Sequence, residues 1–277
     1  MRFDEFAAAK TITESQNVFK DEEGNQLTQR IVAADIAPTI QWLENITGLP
    51  LVDNTLGSVG KKESSGDLDL AVDQNAISKD TLIERLVAWL KKQGIPEGDI
   101  FNKSKTKIAP AKKDGWIDKT GISVHFKAPI KGDPKKGFAQ TDFMFGDDIE
   151  QMKFGLWSAG DASKFSGADR NLLMSSIAKS LPGDFKYSWQ KSLIKRSTGE
   201  PISKNPDAIA SVLLGKGHTG TDLESVESIM AAVKKDSKRL QALKNLATSL
   251  RNEEGKKPGD AKADADEADR INRILNA

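Results

Sequence analysis

The stretch "GSVGKKESSGDLDLAVD", Gly57 to Asp73, joins a polar, glycine-rich loop to a short run with acids on alternate positions. In an extended chain alternate residues share a face. Leu68, Leu70 and Val72 then point one way, while Asp67, Asp69 and Asp73 point the other. Two adjacent carboxylates repel each other, and a strand gains nothing from that. Their proximity becomes favourable when a divalent cation sits between them, since hard oxygen ligands suit Mg²⁺. A lone D-x-D is better read as the solvated face of an edge strand, but this one is not alone. Ser58 lies nine positions before Asp67 and follows Gly57. A Gly-Ser turn offers backbone N–H groups and a hydroxyl to a phosphate, with no Cβ at the glycine to block its approach. Lys61 and Lys62 follow in the same loop.

A Gly-Ser pair, a spacer and a D-x-D followed by apolar residues resembles the signature of the DNA polymerase β-like nucleotidyltransferase superfamily. The resemblance covers roughly residues 49–145. Strand patterns in the first half and helical patterns in the second read as an α+β fold, with a mixed β-sheet nucleotidyltransferase core, flanking helices and a mainly helical C-terminal half. The resemblance implies a third carboxylate on a neighbouring strand, for which "FAQTDFMF" supplies Asp142. Alternation there puts Gln140, Asp142 and Met144 on one face, and Phe143 and Phe145 on the other. By the same resemblance Asp67, Asp69 and Asp142 hold two Mg²⁺ ions (Mn²⁺ as substitute), and Gly57, Ser58 and Lys62 hold the triphosphate of an NTP. Lys164 and Arg170, at the start of a later helix, are expected to help there. The implied reaction moves an NMP from the NTP to a hydroxyl, either a nucleic-acid 3′ end or one on a small molecule or protein, and releases pyrophosphate. The alternative is an inactive protein that keeps the scaffold for binding or structure, such as a phage virion component. "MRFDEF" and "TES" near the start are similar in style to tailed-phage proteins, which implies the host cytoplasm or a virion.

Around this motif the chain reads in segments. Residues 1–29 form an N-terminal segment, 30–160 the catalytic core, 161–250 a helical region and 251–277 a mobile tail with a short terminal helix. "RIVAADIAPTIQWLENIT" has helical spacing that Pro38 is expected to break, or to begin anew. "LPLVDNTL" reads as a strand. "KDTLIERLVAWLKKQ" is the clearest amphipathic helix, with Ser78 as its cap and Gly94 as its stop. Three strands are expected in "DIFNKSKTKIA", "GISVHFKAP" and "GFAQTDFMF", the last two joined as a long hairpin. "KYSWQKSLIKRSTGE" is expected as a small hairpin among helices. "GKGHTG" lacks the rest of a phosphate-loop pattern and reads as a loop.

Composition narrows the chemistry further. The 277 residues contain no cysteine, which removes disulfides, thiolate zinc sites and thiol catalysis. Two histidines argue against a histidine-based metal site, and His125 falls out of phase with Ile122, Val124 and Phe126. A net charge of +1 neither demands nor excludes a nucleic-acid partner. Lysines 103, 105, 107, 112, 113, 131, 135 and 136 are placed to follow a phosphate backbone, or to lie on solvated loops. Trp116 and Phe138 are placed to stack on a base, or simply to pack. The acidic start is not a secretory signal, and no run approaches the roughly 20 apolar residues of a membrane span, so a cytoplasmic protein is expected.

Overall fold

A computed structural model describes residues 17–21, 23–102, 115–252 and 258–277. It divides into a unit spanning Glu14–Lys153 and a unit built on Phe154–Ala277.

The first unit begins with a segment whose Val18 amide donates to the Gln140 side chain, and whose Phe19 is fully buried. Strand β1 (Ile31–Val32) leads directly into helix α1 (Ala33–Thr47). Pro38 sits inside α1 without ending it. A proline there removes a single helical hydrogen bond, and the buried face of Ile36, Thr39, Ile40 and Leu43 holds the helix on the core. "LPLVDNTL" is not a regular strand. It makes a single 3₁₀ turn, and only Thr55 bridges to Leu70. Strand β2 (Ser64–Ser65) pairs antiparallel with β1, and β3 (Asp67–Asp73) follows after Gly66. Helix α2 (Lys79–Lys92) starts where the Ser78 hydroxyl accepts the Thr81 N–H. It buries Leu82, Leu86 and Leu90, and Gly94 turns away from it at φ +78°.

Three further strands complete the sheet: β4 (Ile117–Thr120), β5 (Ser123–Pro129) and β6 (Phe138–Gly146). Their order is β3-β6-β5-β4, with β3 and β6 parallel and the other pairs antiparallel. The sheet is therefore mixed, as the α+β reading requires. Strand β4 was not anticipated, while most of "DIFNKSKTKIA" lies outside the described residues. Leu68, Leu70, Val124, Phe126 and Phe143 face the core under α1 and α2. The opposite face carries the polar residues of the alternation.

Helix α3 (Ile149–Gly155) follows β6. The second unit contains α4 (Gly167–Ser180), the three-stranded sheet β7 (Phe185–Ser188), β8 (Ser192–Lys195) and β9 (Pro201–Ser203), then α5 (Pro206–Leu213). Helices α6 (Val226–Lys235) and α7 (Ser237–Leu250) meet at Asp236, whose carboxylate caps α7. At the end of the chain the expected short terminal helix is present but much longer than expected, and takes up most of the segment expected to be mobile. Residues Pro258–Leu275 form an 18-residue helix, α8, that buries Ala268, Ile271 and Ile274. Its Ala/Asp-rich composition conceals an apolar stripe at helical spacing.

Candidate functional site

The parallel pairing of β3 with β6 sets Asp69 directly opposite Asp142, and Asp67 opposite Gln140. One oxygen from each of Asp67, Asp69 and Asp142 lies within 4.8 Å of the others. Leu68, Leu70 and Phe143 are fully buried behind them. Alternation thus places three carboxylates on one face because their neighbours are needed in the core.

The charges are mutually unfavourable. Burial, then the nearby Asp142 carboxylate, pushes Asp67 up to about 6, against an opposing pull from Arg30. Burial and the charges of Asp67 and Asp142 raise Asp69 well above the usual carboxylate range. Two neighbouring negative groups without a cation shift in this way. Oxygens sharing one Mg²⁺ at about 2.1 Å are separated by at most ~4.2 Å. A small side-chain rotation covers the difference, so an all-carboxylate donor set of this span fits a hard divalent cation.

The Gly57–Ser58 turn is tied to the same strand. The Leu56 amide donates to the Asp69 carbonyl at 2.9 Å. Leu56 and Val59 are buried on either side of the turn, leaving Gly57 and Ser58 half-buried between them. Gly57 adopts φ +62° and Gly60 φ +74°, the left-handed region that glycine enters without strain. Lys62 is exposed farther along this loop.

Lys164 and Arg170 belong to the other unit. Lys164 is exposed, and its backbone amide donates to Glu227. Arg170 corrects the expectation of a phosphate ligand. It is 2% exposed, donates to the carbonyls of Leu223 and Phe154, and lies over the Phe154 ring. A guanidinium so enclosed is part of a core. Of the expected basic cluster, lysines 103, 105, 107, 112 and 113 lie outside the described residues. Lys131 pairs with Asp35, while Lys135 and Lys136 are exposed. Trp116 and Phe138 meet edge to face at 5.2 Å, with the Lys127 ammonium 4.6 Å from the Trp116 ring centre.

Three residues of this face were missed or misjudged. His125 pairs in register with Asp142, and its Nδ1 lies 2.7 Å from Asp142 Oδ1. Its histidine count had set it aside, whereas the hairpin's closing pair, Pro129 with Phe138, would have aligned the two. Asp118 faces His125 from β4. Arg30 donates to the Ser64 hydroxyl and carbonyl, beside Gly66. No sequence signal distinguished Arg30 from any other exposed arginine.

No family model matches the chain, and no curated protein matches it. Among the described residues no helix is long and apolar enough to cross a membrane.

Proposed function

We propose that this chain is a divalent-metal-dependent nucleotidyltransferase that moves an NMP from an NTP to a hydroxyl acceptor. The observation that carries this reading is the convergence of Asp67, Asp69 and Asp142 from adjacent parallel strands, beside the Gly57–Ser58 turn. A structural role offers no reason to gather three acids whose charges oppose one another.

Asp67, Asp69 and Asp142 would hold Mg²⁺ or Mn²⁺. When bound there, the metal supplies charge neutralisation for the triphosphate and acidifies the attacking hydroxyl. The chain's own groups do the rest. The Gly57–Ser58 turn presents N–H groups and a hydroxyl to the outer phosphates, and the exposed Lys62 and Arg30 add positive charge near the same loop. A carboxylate of the cluster accepts the proton of the acceptor hydroxyl. The hydroxyl oxygen forms a bond to the α-phosphorus as the bond to the bridging oxygen breaks, and pyrophosphate leaves.

The test is incubation with each labelled NTP and Mg²⁺, reading pyrophosphate release or labelling of the protein itself. Release that depends on Asp69 supports the reading. Absence of turnover with every NTP and with added RNA, DNA and hydroxyl compounds would favour an inactive scaffold.

A further inference from the structure

We propose that His125 is the positioning residue of the acid cluster, aligning Asp142, and that Asp118 steadies the His125 ring from behind. The inference rests on the metal-binding part of the proposed function. Directly paired residues in an antiparallel sheet share a face. Asp142, His125 and Asp118 therefore continue the row begun by Asp69, one residue on each strand in the order β3-β6-β5-β4.

An ionised carboxylate can only accept, so His125 Nδ1 donates to Asp142 Oδ1 across their 2.7 Å contact. Gln140 Nε2 donates to the other oxygen at 3.2 Å, and its own Oε1 accepts the Val18 amide at 2.9 Å. Asp142 is thus held on both sides, with its remaining lone pairs toward Asp67 and Asp69. The second ring nitrogen of His125 is left for another partner. Asp118 is 9% exposed, and among the described residues its Oδ1 has no hydrogen-bond partner. A buried carboxylate oxygen without a partner is rare and costly. The His125 imidazole is its register partner across the strands, and a hydrogen bond from the second ring nitrogen would satisfy that oxygen. A residue that orients a liganding group in this way contributes through geometry and never touches the substrate.

The experiment measures Mn²⁺ binding to the full chain by calorimetry and by the electron paramagnetic resonance of the free ion, without nucleotide. His125→Ala should weaken Mn²⁺ binding by ~10–100-fold, as loss of an outer partner of a metal ligand does. His125→Asn places an amide donor near the Nδ1 position, and should restore affinity to within about threefold of the parent. Asp118→Asn should weaken binding severalfold with an unchanged melting profile. A general packing role would not separate the Ala and Asn variants in this way. Unchanged affinity in His125→Ala, or an Asn variant no better than Ala, overturns the inference while leaving the metal site intact. If His125→Ala fails to fold, Asp118→Asn decides, and unchanged affinity there is the overturning result. A folded parent that binds no Mn²⁺ overturns the proposed function and this inference with it.

Discussion

Asp169 is a buried carboxylate in one unit, the half-buried Asp67 and Asp69 stand beside the buried Asp142 in the other, and the two sets are treated in opposite ways. Asp169, near the start of α4, accepts from Arg270 and Arg273 on α8, and closes a capping box with Ser166. Burial pushes Asp169 up, but the hydrogen bonds from Arg270 and Ser166 outweigh it and hold the carboxyl below its usual value. At Asp67 and Asp69 burial acts in the same direction, and the neighbouring charges add to it. A carboxylate kept for architecture is provided with cations from its own chain. Asp67 and Asp69 have carboxylates as their nearest charged neighbours instead, and on the proposed function a divalent cation from solution would offset them.

The contrast is broken or sharpened most strongly by neutralising the cluster. Asp67→Asn and Asp69→Asn should each reduce NMP transfer at least hundredfold, because a hard-cation ligand is lost. Metal-free melting temperature should rise slightly in both, since repulsion is removed. Turnover within tenfold of the parent in both variants would remove the metal assignment. In the second unit the same chemical change should have the opposite sign. Asp169→Asn should lower stability by ~2 kcal/mol, since it removes charge-assisted bonds and leaves Arg270 without its carboxylate. Denaturant unfolding followed on that unit checks this, and a stabilised variant would void the comparison.

A third measurement concerns the phosphate turn. Ser58→Ala should weaken NTP binding by roughly 1–3 kcal/mol, the range for a hydrogen bond to a charged group, and leave NMP binding unchanged. Equal NTP affinity in parent and variant would show that the hydroxyl does not meet the outer phosphates.

The smallest expected effect is a pH dependence. The folded protein holds protons on Asp67 that the unfolded chain has released, between the ordinary value of 3.8 and about 6. At His125 burial acts downward, but bonding to Asp142 outweighs it and raises the imidazole too, with the same sign. Both groups therefore favour the folded state at lower pH, and their contribution is lost as pH rises through their folded values. Metal-free melting temperature of the first unit should climb by a few degrees from pH 8 to pH 5.5. Saturating Mg²⁺ should flatten that slope, and a slope of the opposite sign would contradict the unpaired-acid account.

Much of the site was legible because it depends on the period of a strand. Leu68, Leu70, Phe143 and Phe145 demand the core, and the acids between them have only one face left. The cap at Ser78 and the stop at Gly94 were legible for the same local reason. What escaped depends on partners distant in sequence. Arg170 looked like any cation at a helix start until Leu223 and Phe154 enclosed it. His125 gains meaning only from the residue across the hairpin. At the end of the chain only a short helix was legible, and its earlier turns were hidden because aspartates and alanines there read as a polar tail.

The order of pairing in the sheet has a consequence for how the site comes into being. His125 and Asp142 are 17 residues apart and join when a hairpin closes. Asp69 and Asp142 are 73 residues apart and meet only through a parallel crossover. Long loops close at greater entropic cost, so pairings of high sequence separation tend to form late. During refolding the imidazole should therefore reach Asp142 before the other two acids do. The last docking event, β3 against β6, then brings the negative charges together, and a divalent ion present at that moment should accelerate it by relieving their repulsion.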